Sequence, residues 1–143
     1  MYVQPKNPSQ QYTNTNELSY FVSHSSEDSR EAEALTAALE AQAKRCWIAP
    51  RDIRPGNSYA AEITYGVETA PVFLVLVSNH SNQSNSVLSE VELARRFNRI
   101  MVPVFVEDVS LSKALLYYLS AAQWVSYYKN PETALRQILA ARR

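Results

Sequence analysis

The chain has 143 residues, 46% of them hydrophobic, enough for one packed domain and too few for two of ordinary size. Fourteen basic residues balance fourteen acidic ones, so no global field draws nucleic acid or a membrane surface, and any partner is read by local sites. The only two glycines, Gly56 and Gly66, are too few for a Walker-type phosphate loop or a dinucleotide fingerprint, which need several so that backbone can approach phosphate.

Residues 1–16 are polar, rich in Pro, Asn and Gln, and lack the apolar core of a signal peptide; they read as a flexible lead-in. The domain is expected over 17–143, with the cytoplasm as its location. Residues 18–23 form a first strand, short and rich in aromatic and β-branched side chains. Ser25 to Asp28 resemble a capping box with acids in the first helical turn, and Ala32, Leu35, Leu39 and Ala43 then recur at helical spacing. A short strand at 46–48 holds Cys46, the only cysteine, whose apolar neighbours Trp47 and Ile48 predict a buried structural thiol. A loop at 49–58, broken by two prolines and a glycine, follows it.

A second helix puts Ile63, Val67 and Ala70 on one face. The run at 71–77 is apolar throughout, as for a central strand covered on both sides, and it is far too short to span a bilayer. A polar loop at 78–85 leads to a third helix over 86–97. A strand at 101–106, a short helix at 110–119, a minimal strand at 123–125 and a last helix opened by Pro131 complete the chain. Of Tyr117 and Tyr118, one is expected in the core and one at the surface. His80 has no partner at metal-ligand spacing, so no metal is expected.

Strands alternating with helices imply right-handed crossovers and a parallel sheet between two helical layers. Five such units fit a flavodoxin-like α/β three-layer sandwich with strand order 2-1-3-4-5. Its ligand crevice lies at the carboxyl ends of strands one and three, here residues 23–25 and 78–80. A phosphate-accepting receiver domain of the same fold needs acids at these ends, and Ser23, His24 and Ser78 stand there instead. A flavodoxin would need glycines and flanking aromatics for its flavin, which are not evident.

The third helix carries the most informative side chain. At about 100° per residue, Val91 and Ala94 lie within about 40° of Val87 and form a buried stripe. Glu90 falls about 60° from Val87, on the shoulder of that stripe, whereas Glu92 points to water. Glu90 is also close to the helix N-terminus and to the crevice. The helix dipole favours its ionised form and partial burial opposes it. From the wheel alone, the favoured reading is a solvated flanking carboxylate that covers the stripe with its methylenes.

Six segments in order resemble the Toll/interleukin-1 receptor (TIR) domain family, in particular its bacterial branch. They are 20–28 (YFVSHSSED), 46–56 (CWIAPRDIRPG), 73–78 (FLVLVS), 86–94 (SVLSEVELA), 100–104 (IMVPV) and 116–124 (LYYLSAAQW). The resemblance implies the fold reached above, and an activity. Many family members cleave NAD⁺ to nicotinamide and ADP-ribose or a cyclic isomer, using a glutamate on the third helix that matches Glu90. NAD⁺ is then a substrate and no cofactor is needed. Cleavage builds positive charge on the ribose while nicotinamide leaves as a neutral pyridine, so one carboxylate suffices.

Within that frame Ser23, His24 and Ser25 can hold ribose or diphosphate, although capping a helix accounts for Ser25 or Ser26 as well. Phe21, Trp47 and Tyr59 are the candidates for stacking on nicotinamide, Trp47 reading first as core. Arg51 and Asp52 either pair within the 49–58 loop or contact nucleotide or a neighbouring subunit. Ser86 replaces a tryptophan found four residues before the glutamate in several NAD⁺-cleaving members, and lines the same place. The family's BB loop mediates assembly and here contains Pro50, Ile53, Arg54, Pro55 and Gly56. The resemblance thus implies an assembly-dependent NAD⁺ hydrolase in antiphage defence, homo-oligomeric and linked to a further domain or effector. The alternative it leaves is a non-enzymatic interaction module assembling through that loop.

Overall fold

A computed structural model describes residues 17–141; the lead-in expected over residues 1–16 lies outside the described residues. Five strands, β1 (Leu18–Ser23), β2 (Arg45–Ile48), β3 (Val72–Val77), β4 (Ile100–Phe105) and β5 (Val125–Ser126), alternate with five helices. The helices are α1 (Ser29–Glu40), α2 (Tyr59–Thr69), α3 (Asn85–Arg96), α4 (Lys113–Leu119) and α5 (Pro131–Ala140). All strand pairs are parallel, in the order β2-β1-β3-β4-β5. This is the flavodoxin-like α/β sandwich that the order of elements predicts.

The sheet's two faces follow from the alternation of side chains along each strand. Tyr20, Val22, Leu74 and Leu76 pack with Leu35 and Leu39 of α1 and Ile138 of α5. Phe21, Phe73 and Val75 face the other way, against Val67, Val87, Val91 and Leu115 of α2, α3 and α4. Every residue of β3 is buried, because a central strand has helices over both faces. The stripe on α3 is as the wheel places it: Val87, Val91 and Ala94 are fully buried and Glu92 is exposed.

Short polar side chains mark where helices begin. Ser58, Ser84, Ser112 and Asn130 each accept a backbone N–H of the first turn of α2, α3, α4 and α5, satisfying donors that the helix leaves open. The cap at Ser112 explains why α4 starts later than the expected residue 110. Asn82 accepts Ser112 N at 2.9 Å and donates to Ser110 O at 2.8 Å, holding those residues in a loop. The last strand likewise shifts to Val125–Ser126, leaving Trp124 outside it, with its indole Nε1 donating to Leu119 O at 2.9 Å.

The helical stripe of α1 stops one turn sooner than expected. Ala43 is exposed, in a left-handed turn with φ 62°, and Lys44 N donates to Leu39 O across it. This is the usual closure of a helix end; the same closure at the end of α3 places Asn98 at φ 59°. Tyr117 is exposed and Tyr118 only partly buried; the core positions of α4 are Leu115 and Leu119.

Candidate active site

The carboxyl ends of β1 and β3 part company with their helices at a cleft of about 570 Å³, within the usual range for small-molecule sites. His24, Ser25, Ser26 and Ser29 form one wall. Tyr59, Ala60, Ile63 and Thr64 of α2 form a second, and Ser84, Asn85, Ser86, Ser89, Glu90 and Leu93 a third. Ala49 and Pro50, the root of the BB loop, border it as well. Hydroxyls therefore outnumber charges, and among the described residues Glu90 is the only carboxylate lining the space.

Glu90 is half-buried, and its Oε1 accepts a hydrogen bond from Ser23 Oγ at 2.7 Å. Burial pushes its carboxyl up to about 7, against the Ser23 bond and the His24 ring, both of which lower it. Desolvation therefore wins over local stabilisation of the charge. The result is a carboxyl that changes charge near neutrality inside a polar cleft. Glu92, two residues on, instead accepts from Tyr118 Oη at 3.0 Å outside the site.

His24 reaches in two directions. Its Nδ1 lies 2.8 Å from Ser25 O and its Nε2 3.2 Å from Ala49 O. A neutral ring donates one of these bonds and an imidazolium both. With its proton on Nε2, or on both nitrogens, the ring ties the end of β1 to the root of the BB loop. Ser25 is buried and its Oγ caps the following turn, accepting Glu27 N at 3.3 Å.

Asp28, which sequence reasoning treated as a helix-dipole residue, is buried and its Oδ2 accepts a hydrogen bond from Ser78 Oγ at the end of β3. Ser78 and Ser81 close a further ring of hydrogen bonds there. The two strand ends flanking the crevice are thus tied together by polar side chains.

Of the aromatic candidates, Phe21 and Trp47 belong to the core. Phe21 lies stacked between Trp47, with centroids 5.0 Å apart, and Phe73, at 5.4 Å. Phe21 thus borders the cleft with both faces of its ring covered, whereas Trp47 does not line it. Tyr59 differs: its side chain stands at the cleft edge, 60% exposed.

Arg51 and Asp52 are directed away from the cleft. Arg51 makes a two-pronged pair with Glu40 of α1, at 3.1 and 2.8 Å, and also bonds Asp52 and Cys46 O. Asp52 in turn accepts Ile48 N at 2.9 Å. The Cys46 thiol beneath is pushed up to about 12 by burial and is unreactive.

The outer part of the BB loop is fastened to α2. Glu62, 4% exposed, accepts Arg54 N and Nε at 3.0 Å, Arg54 Nη2 at 2.8 Å and Asn57 Nδ2 at 3.1 Å. Ile53 is half-buried against the α2 side of the sheet, while Pro55 and Gly56 are exposed. Gly56 turns the loop with φ 83°, where a side chain would be strained. Sequence reasoning missed Glu62, although its place four residues past the Ser58 cap could have flagged it as a loop anchor.

The parallel sheet, its strand order and a polar crevice at the switch point define a flavodoxin-like domain with a hydroxyl-rich, single-carboxylate site. The TIR domain family matches residues 21–139, and the chain belongs to that family. No curated protein matches the sequence. Among solved structures, the TIR domain of the Toll-related receptor TRR-2 from Hydra magnipapillata superposes with TM-score 0.71 at 16% identity, covering 84% of this chain and 94% of that one. The TIR domains of the activated Roq1 resistosome, which recognises the pathogen effector XopQ, give 0.71 at 18% identity over 85% and 97% of the two chains. The CMP N-glycosidase BcmB of Clostridium botulinum gives 0.59 at 13% identity over 85% and 99%. At these identities the likenesses speak for the fold. Among the described residues, no helix is long and apolar enough to cross a membrane.

Proposed function

We propose that the chain is an NAD⁺ glycohydrolase or cyclase that breaks the nicotinamide–ribose bond with Glu90 as its catalytic residue. The observation that carries this reading is one half-buried carboxylate, alone among hydroxyls, in a cleft at the switch point of the sheet. The C1′–N bond breaks, its electron pair leaves with neutral nicotinamide, and positive charge spreads over the ribose ring. The Glu90 carboxylate stabilises that charge and the ribose hydroxyls. Water, or a hydroxyl or ring nitrogen of the same molecule, then bonds C1′ and loses a proton. Linear or cyclic ADP-ribose results.

The hydroxyl walls and the amides at the start of α3 suit ribose and diphosphate, and the exposed Tyr59 ring suits an aromatic base. The shared fold of a CMP N-glycosidase supports the reading by analogy alone, since a fold hosts many chemistries. The root of the BB loop borders the cleft, and a second copy of the domain docking on that loop supplies a further wall. Activity then depends on homo-oligomeric assembly, in keeping with a bacterial antiphage signalling role beside a further domain or effector.

Incubation with NAD⁺ at high protein concentration, followed by chromatography, tests this. Wild type releases nicotinamide and Glu90→Gln does not. Full release by Glu90→Gln removes Glu90 from the mechanism. No release by wild type under forced assembly replaces the enzyme with an interaction module built on the BB loop.

A further inference from the structure

Ser23 is 1% exposed and is not among the side chains that line the cleft. Its hydroxyl has a single proton, and that proton is directed to Glu90 Oε1 at 2.7 Å. The backbone on either side is fixed: Ser23 pairs with Val75 in the sheet, and Phe21 lies between Trp47 and Phe73. With the backbone fixed and the side chain buried, the hydroxyl stays on Glu90 and out of the cleft. We infer that Ser23 is a positioning residue, one that acts through Glu90 and does not touch substrate. It anchors one carboxylate oxygen and leaves the other for the ribose.

The bond is stronger to an ionised carboxylate than to a neutral acid. It therefore favours the charged form against the desolvation that dominates at this site. The other titratable groups lining the space are His24, at the end of β1, and Tyr59, at the start of α2. The remaining lining side chains from α1, α2, α3 and the BB loop carry no charge. His24 acts in the same direction as Ser23, but its ring nitrogens face the carbonyl oxygens of Ser25 and Ala49. Ser23 is the group that grips Glu90 directly.

The inference rests on the glycohydrolase reading for its effect on rate, but not for its effect on Glu90 itself. The decisive measurement is therefore a carbon-13 NMR titration of the Glu90 carboxyl, assigned by its loss in Glu90→Gln. In Ser23→Ala the midpoint moves upward by about one pH unit, the size expected for one lost charge-assisted hydrogen bond. Ser23→Thr, which keeps the hydroxyl, returns the midpoint toward wild type. Ser23→Cys, a weak donor of similar size, lies between, and serves should the alanine variant not fold. Nicotinamide release by Ser23→Ala falls about tenfold at pH 6 and recovers above pH 8, with KM unchanged.

An unmoved Glu90 midpoint in a folded Ser23→Ala protein overturns the inference. So does a loss of release that is equal at every pH and lies in KM, the mark of a direct substrate contact. If wild type releases no nicotinamide while the midpoint still moves, the glycohydrolase reading fails and the role of Ser23 in holding Glu90 stands.

Discussion

Glu62 and Arg54 form the tie between α2 and the BB loop: the guanidinium and the backbone N–H of Arg54 both close on one nearly buried carboxylate. Arg54 is itself two-thirds exposed, at 66% of its side chain. The energy of the tie therefore lies less in the exposed charge pair than in satisfying Glu62 and the loop backbone together.

Removing Glu62 should free the loop without unfolding the sheet. In Glu62→Ala, amide hydrogens near Arg54 and Asn57 exchange at least about tenfold faster, while those of β3 keep wild-type protection. Hydrogen-exchange mass spectrometry reads both. The Arg54 bonds hold the Glu62 carboxyl down to about 2, below the ordinary glutamate value of about 4.5. Its stabilising contribution is thus complete above about pH 4.5 and is lost as the pH falls through about 2. Loop protection in wild type should decline over that window, and loop exchange in Glu62→Ala should be insensitive to it.

Glu90 shifts in the opposite sense, and so does its linkage. Its folded value of about 7 exceeds the ordinary glutamate value of about 4.5, so between these pH values the native state binds a proton that the unfolded state has lost. Stability from this group is full below about pH 4.5 and falls as pH rises through 7. Glu90→Gln should therefore be more stable than wild type at pH 8 by about 1–2 kcal/mol, allowing for partial solvation of the site. The difference should shrink toward zero at pH 4.5. Urea denaturation at the two pH values checks it. For the proposed reaction, kcat/KM rises through about pH 7 as Glu90 ionises. The kcat profile lies lower, because a bound nicotinamide cation favours the carboxylate.

Gly66 marks the closest approach of α2 to the sheet. A Cβ there would stand 2.8 Å from Trp47 Cδ2 and 3.0 Å from Phe21 Cδ2. Both rings are held in the Phe21–Trp47–Phe73 stack and have no space to yield. Gly66→Ala should cost about 1–2 kcal/mol, the overpacking outweighing a gain in helix propensity of about 1 kcal/mol. A lower denaturation midpoint with an unchanged m value is the expected result.

Ala43 carries the cost of a left-handed conformation at φ 62° that glycine would not bear. Ala43→Gly should stabilise the domain by about 0.5–1 kcal/mol, the relief of strain exceeding the extra freedom of the unfolded chain. The residue is exposed and lies at the far end of α1 from the cleft, so nicotinamide release should be unaffected. Thermal denaturation measures the gain.

Much was legible in the sequence because it depends on near neighbours along the chain. The apolar run at Val72–Val77 defines a strand with both faces covered, Pro131 marks the start of the last helix, and the spacing of Val87, Val91 and Ala94 defines the buried side of α3. The same spacing places Glu90 at the edge of that stripe, and alternation with helices gives the strand order. Tertiary structure alone decided what each polar group meets. Ser23 reaches Glu90 across 67 residues and Ser78 reaches Asp28 across 50, while Arg51 turns to Glu40 and away from the cleft. Periodicity says which face of an element is buried; which side chains come within 3 Å depends on how separate elements are set over the sheet. Glu90 was thus visible in the sequence as a carboxylate on a shoulder. Its raised ionisation near neutrality comes from the packing that desolvates it, against the opposing hydrogen bond from Ser23.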